Sequence, residues 1–248
     1  MKKFYTLLFA MALLIPTSYA QKGLSLGLNG EGLSPSIINQ NTWGNGREYD
    51  YELTFSSSLG LDVGYNFNDK IGAYSGFSLI TLGQKYTDTY QAAGSDKDSD
   101  WTRQIKFKYR MIPLMFKFSS SERIVNFIGG MGVSFAFMSS AEQTWTQDGN
   151  AFNEQLTNPI TNKEFDLGAS DVTNRYNKSD IFVNLELGAR IMFSDNIYMD
   201  AVLDMGYGLK DINAADWQIP NSDGEYNASH NAYGGIKIGI AYLLFTEE

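Results

Sequence analysis

Alternation with a period of two residues decides what this chain can fold into. The cleanest case is Ile181-Phe-Val-Asn-Leu-Glu-Leu-Gly-Ala-Arg-Ile-Met-Phe193. Its odd positions read Ile, Val, Leu, Leu, Ala, Ile and Phe, while the even positions from Asn184 onward read Asn, Glu, Gly, Arg and Met. Successive side chains of a strand point to opposite faces, so one face of this segment is apolar and the other is wet. A tilted strand needs about 9–11 residues to cross a bilayer, and this segment exceeds that. The pattern is that of a transmembrane β-barrel strand.

Residues 1–20 read as an export leader. Lys2 and Lys3 give a positive start, Tyr5 to Ile15 is an apolar run too short to span a membrane as a helix, and Pro16 follows it. Ser18 and Ala20 are the small residues expected before a cut between Ala20 and Gln21. Residues 21–248 are then one barrel domain, a size that all-β barrels reach undivided. Beyond the leader, no stretch of about eighteen apolar residues remains to form a membrane helix. The chain carries a net −9, and losing Lys2 and Lys3 makes the mature balance two units more acidic. That argues against nucleic-acid binding, whose footprint is a basic patch. With no cysteine, a disulfide framework and a thiolate metal site are both excluded.

Eight strands are predicted, at roughly 24–33, 51–67, 71–86, 102–118, 124–139, 181–193, 197–210 and 232–245. The short connections Asn68-Asp69-Lys70, Ser119 to Arg123 and Ser194-Asp195-Asn196 are rich in turn formers. Long connections at 34–50, 87–101, 140–180 and 211–231 alternate with them. An even strand count with turns at one end and loops at the other is the outer-membrane pattern, turns in the periplasm and loops outside.

One predicted strand breaks phase. In Lys106-Phe-Lys-Tyr-Arg110 the charges occupy even positions, whereas after Pro113 the charge is Lys117. Proline cannot donate to a ladder, so a bulge is expected near Ile112-Pro113, returning Lys117 to the wet side. Alternation does not say which face points inward, because a secreted lipocalin-like barrel would alternate equally well with its apolar face inside. Three features favour the membrane version. The polar face is crowded with Gly60, Gly64, Gly130, Gly132, Gly188, Gly206 and Gly239, as a narrow lumen requires. The apolar faces end in Tyr65, Phe67, Phe118, Phe193 and Tyr242 at one end and Phe55, Phe137 and Tyr207 at the other, suggesting interfacial girdles. The long loops all lie at one end.

Four segments resemble a known family. Tyr109-Arg-Met-Ile-Pro-Leu-Met-Phe-Lys117 is similar to an aromatic-x-x-Ile-Pro-Leu-x-x-Lys strand of the porin-like outer-membrane β-barrel proteins of the OmpA/OmpX type. Phe127-Ile-Gly-Gly-Met-Gly-Val133 resembles the glycine-rich strand that follows it there, and Tyr207-Gly-Leu-Lys-Asp-Ile212 a Tyr-x-Gly-Leu-x-x-Ile signature. The last strand, with Lys237, Gly239, Tyr242 and Leu244, looks like the signal that the outer-membrane insertion machinery reads, although the chain runs three residues past Phe245. The resemblance implies an eight-stranded antiparallel up-and-down barrel and an outer-membrane location. It implies no activity, because that family is defined by fold.

With faces assigned in this way, Lys106, Lys108, Arg110, Lys117, Arg190, Lys210 and Lys237 point into the lumen opposite Glu31, Glu52, Asp62, Glu186, Asp200 and Asp204. An eight-stranded barrel is only wide enough for side chains to fill, so near-neutral balance reads as an ion-pair network, with a narrow ion path as the alternative. Asp96-Lys-Asp-Ser-Asp100 matches the start of a calcium loop, but Trp101 stands where its glycine belongs and Phe107 where its glutamate belongs. His230, the single histidine, has no evident catalytic partner and reads as a surface residue. Trp43, Trp101, Trp145 and Trp217 fall one per long loop, either packing the loops or forming a contact surface for an external ligand. The expectation is a monomeric, non-catalytic, cofactor-free barrel with a structural or adhesive role. It would meet outer-membrane lipid or lipopolysaccharide and, during assembly, the insertion machinery. A small-solute or ion channel is the alternative, and an outer-membrane hydrolase a third.

Overall fold

The computed structural model describes residues 22–39, 50–91, 98–120, 124–152, 155–157, 164–218, 220 and 224–244. Eight long strands form the barrel: β1 (Gly23–Asn39), β2 (Ser56–Asn66), β3 (Ile71–Gln91), β4 (Asp98–Ser119), β5 (Val125–Gln147), β6 (Ser179–Met192), β7 (Ile197–Gly208) and β8 (Ser229–Leu243). Each pairs antiparallel with its sequence neighbour, and β8 pairs with β1 to close the ring. Closure removes the free edges that an open sheet would expose. The short turns are held by side chains: the Asn68 carboxamide oxygen accepts from the amides of Lys70 and Ile71 at 2.8 and 2.9 Å. Ser194 does the same for Asn196 and Ile197. No helix among the described residues is long and apolar enough to cross a membrane.

Strand length is uneven. The strands β3, β4 and β5 run 21, 22 and 23 residues, while β2, β6 and β7 run 11, 14 and 12. Since about 9–11 residues cross a bilayer, β3 to β5 continue well beyond it as a three-stranded wall at the long-loop end. Residues 140–147, expected in a loop, are the top of β5, and within the predicted loop at 87–101 the described residues 87–91 and 98–101 are strand. β5 turns at Asp148-Gly149, both at positive φ (49° and 77°), into a two-residue return at Asn150–Ala151. An Asp-Gly pair with φ > 0 at both positions makes the type I′ turn that suits strand twist.

The expected bulge at Ile112-Pro113 is absent. Odd positions of β4 face inward all the way from Ile105 to Lys117, so the strand keeps its phase. Proline's missing N–H shows instead as a local gap: Gly76 and Phe77 drop out of the β3–β4 ladder opposite Pro113 and Ile112, with the register unchanged on both sides. The bulge lies one strand over. Lys108 pairs with Ser140 and Tyr109 with Met138, leaving Ser139 as the extra residue, its hydroxyl donating to the Lys108 carbonyl at 2.9 Å. Below it, Ala136 and Met138 face inward. Above it, Ala141, Gln143 and Trp145 do, so the bulge flips the face of β5.

Candidate functional site: a two-layered lumen

The lower lumen is charged. Glu186 on β6 stands level with Gly130 on β5 and Lys117 on β4. A Cβ on Gly130 would lie 3.2 Å from the Lys117 side chain and 3.4 Å from the Glu186 carboxylate, so the glycine lets Lys117 reach across β5. Lys117 Nζ lies 2.8 Å from one Glu186 oxygen, and Lys237 ion-pairs with the other. Lys237 also reaches Asp204 at 3.3 Å. One level down, Arg190 holds Asp200 through two parallel N–H···O contacts of 2.7 and 2.9 Å, a bidentate geometry that fixes both side chains. The Arg190 guanidinium lies 3.9 Å from the Tyr198 ring centroid and donates to the Tyr74 hydroxyl at 3.2 Å. Tyr74 in turn bonds Asn66, while Asn29 donates to Asp62 at 2.7 Å. Gly64 leaves the space that the Tyr74 ring occupies, since a Cβ there would come within 2.2 Å of it.

Of the predicted lumen charges, the structure brings together Glu31, Asp62, Lys117, Glu186, Arg190, Asp200, Asp204 and Lys237. It puts Glu52, Lys106, Lys108, Arg110 and Lys210 elsewhere. Lys106, Lys108 and Arg110 are exposed on the outer face of β4, Lys108 pairing with Glu142. Glu52 pairs on the outside with Lys85 at 2.7 Å, and Lys210 lies exposed just past β7. The reason is length: above the bilayer, water solvates the outer face, so charges belong there. The expected near-neutral balance is replaced by an excess of carboxylates in the lumen. Glu31 is 7 % exposed, and its Oε1 has no hydrogen-bond partner.

The upper lumen is mainly apolar, with Gln84, Gln143, Asp180 and Asn231 buried among the apolar side chains. Phe107 and Phe182 are fully buried, and Leu82, Leu33 and Ile105 nearly so. Phe107 meets Tyr176 edge-on at 4.7 Å, and Phe182 lies 6.0 Å from Tyr233. Hydrogen bonds join the two layers: Ser134 donates to Asn184 and Asn184 to the Tyr233 hydroxyl, each at 2.7 Å, and Asn231 donates to Tyr109 at 3.1 Å. Two internal cavities of about 20 and 40 Å³ lie along the charged layer, each with room for a water or two.

Residues 167–178 cover the mouth, burying Leu167, Val172 and Tyr176. β6 starts only at Ser179, so the upper edge of β5 lacks a strand partner, and this segment supplies the missing bonds. Val172 N donates to Ala141 O, Gln143 N to Ser170 O and Met138 N to Lys178 O, at 2.8–2.9 Å. On its other side, Asn177 N donates to Ile212 O and Ala214 N to Arg175 O. The Thr173 hydroxyl donates to Asp171 at 2.6 Å and holds that exposed carboxyl below its usual range.

Trp43, Ala20, Gln21 and Asp96 lie outside the described residues. Trp145 is not on a loop but on β5, 9 % exposed beneath the Arg103 guanidinium. Trp101 stacks edge-on with Phe152 at 4.5 Å, and Trp217 lies under Arg175. Trp145 is thus buried, while Trp101 and Trp217 are half-buried. His230 stands on β8, stacked on Tyr207, with Nδ1 3.0 Å from the Gly208 carbonyl oxygen. Gly239 shares the inward face of β8 with Lys237, whereas Tyr242 faces outward and Leu244 follows the strand end. Asp211, which the sequence did not single out, ties down the last loop by accepting from Tyr226, Gln218 and the Ser229 amide. Among the described residues no cluster of three His, Cys, Asp or Glu side chains could hold a metal ion.

The outer face is apolar where the charged layer is inside. Leu59, Leu61, Leu114, Phe116, Leu203, Ile236 and Ile240 are all exposed, bounded by Tyr65, Phe118 and Tyr242 below and Phe137 and Tyr207 above. Solved structures with a similar course include Neisserial surface protein A (13 % identity, TM-score 0.48, covering 92 % of this chain and 100 % of that one). The attachment invasion locus protein Ail of Yersinia pestis gives 11 %, 0.39, 89 % and 99 %, and OprG of Pseudomonas aeruginosa 13 %, 0.42, 91 % and 98 %. No curated protein matches the chain. Residues 12–213 match the family described as outer membrane protein beta-barrel domain. The chain therefore belongs to that family, and its place is the outer membrane of a Gram-negative-type cell.

Proposed function

We propose that this protein is a closed, non-catalytic barrel whose role is structural or adhesive, exercised through the wall formed by β3 to β5 at the long-loop end. The observation that carries the reading is the upper layer around Phe107 and Phe182, covered by residues 167–178. Ion transit would require opening a packed apolar layer as well as breaking the ion pairs beneath it. The wall ends in Asp88, Asp98, Asp100 and Asp148, and the Asp100 amide donates to Asp148 at 2.8 Å, so its tip is acidic and cross-linked. A rigid acidic edge suits contact with a cationic surface.

A narrow channel is the second reading, favoured by the polar column from Asn66 to Asn231 and the two cavities beside it. Planar-bilayer recording on the purified, refolded full chain tests both. The closed reading expects no resolved openings, and steady unitary currents would establish the channel.

A further inference from the structure

The outer face of β4 changes character along one strand. From the short-turn end it presents Phe118, Phe116, Leu114 and Ile112, each 41–63 % exposed, then the three cations Arg110, Lys108 and Lys106 in succession. Arg110 is flanked on β3 by Leu79 and on β5 by Phe137, both at least half exposed, so its guanidinium stands at the rim of the lipid-facing belt. Eight residues separate it from Phe118. At about 3.3 Å per residue and a tilt near 40°, that is a rise of roughly 20 Å, against an apolar band about 25 Å tall. Arg110, Lys108 and Lys106 thus climb through the headgroup zone of the leaflet on the long-loop side.

Their partners divide them. Lys108 pairs with Glu142, and the neighbouring Lys85 with Glu52. Among the described residues, neither Arg110 nor Lys106 forms an ion pair; Glu142, the cross-strand neighbour of Lys106, is engaged by Lys108. A patch with more cations than acids on a chain of net −9 is a local reversal of sign. It is continuous with apolar surface directly below it, so a ligand complementary to both must be anionic at one end and greasy at the other. Arg110 and Lys106 stand four residues apart, about 13 Å along the strand, a spacing for two anionic groups.

We propose that the outer face of β4 between Arg110 and Lys106 docks a lipid with a diphosphorylated headgroup. Its phosphates sit on Arg110 and Lys106, and its acyl chains lie over Ile112, Leu114, Leu79 and Phe137. Arg supplies the bidentate fork that suits a phosphate, and Lys a mobile point charge. The site rests on the outer face alone and is independent of whether the lumen conducts.

The test uses the full chain in phosphatidylcholine nanodiscs doped with trace labelled lipid A, either bisphosphorylated or with both phosphates removed. Strand circular dichroism and heat-shifted gel mobility report folding. Wild type should retain the bisphosphorylated form over the dephosphorylated one by on the order of ten-fold or more, as two cations near an anionic headgroup allow. The Lys106→Gln/Arg110→Gln variant should lose that preference while staying folded, and Lys70→Gln, at a short turn, should keep it. Equal retention of the two lipids by wild type, or a preference surviving in the folded double variant, would overturn the site. So would displacement by millimolar inorganic phosphate or by polyglutamate, which would reveal an unselective anion patch.

Discussion

The lower and upper thirds of this barrel obey opposite rules. In the lower part Lys117 faces in and Phe116 and Phe118 face out; in the upper part Phe107 and Tyr109 face in and Lys106 and Lys108 face out. One strand, β4, carries both arrangements without a change of phase. What changes is the solvent on its outer face, hydrocarbon below and water above. The molecule is a membrane barrel at one end and has the inside-out pattern of a water-soluble barrel at the other.

This contrast can be broken at defined points. Arg190 is buried with its carboxylate partner, so Arg190→Ala should lower stability by about 3–5 kcal/mol in a urea titration in lipid bilayers. Adding Asp200→Asn should recover part of that, because no lone buried charge remains. No recovery would mean that the pair's packing against Tyr198 and Tyr74, rather than its charge, is what matters. In the upper layer, Phe107→Ala should cost a comparable 3–5 kcal/mol by opening a cavity in a dry core. If that substitution were silent, the apolar layer would not be a packed core. Leu203→Arg, on the exposed lipid face near mid-height, should cost about 2–4 kcal/mol. The smallest effect is expected at Lys106→Gln, whose outward side chain should change folding stability by no more than about 0.5 kcal/mol. Had Lys106 pointed inward, as alternation alone implied, its loss would rank with that of Arg190.

Strand number, order and the lower network were legible in the sequence because each of those segments lies against lipid, which keeps charges off the outer face even where Val202, Ile128 and Met115 also turn inward. Glu186, Arg190, Asp200 and Asp204 fall on one face by counting in twos, and the structure puts them on one face. The same counting failed at Lys106, Lys108 and Arg110. It assumed that every strand residue faced hydrocarbon, and β4 is about twice as long as a bilayer crossing requires. A bulge at Pro113 was then needed to reconcile charges that were never on the same face. The upper wall had its own signal in Asp148-Gly149, a hairpin pair preceded by alternating Ala141, Gln143 and Trp145. The Ser139 bulge, by contrast, leaves no mark in residue type. Nor does the docking of residues 167–178, because its bonds to β5 are between backbone groups apart from those of the Thr173 hydroxyl to Ala141.

The reversal along β4 can be read directly, since the chain has no cysteine to interfere with labelling. Single cysteines placed for Ile105, Lys106, Phe107, Lys108, Ile112 and Leu114 would be probed in folded, membrane-inserted protein with a membrane-impermeant maleimide. Lys106→Cys and Lys108→Cys should label readily, and Ile105→Cys, Phe107→Cys, Ile112→Cys and Leu114→Cys should resist. Labelling at positions 105 and 107 with protection at 106 and 108 would put the cations in the lumen and contradict the two-layered barrel.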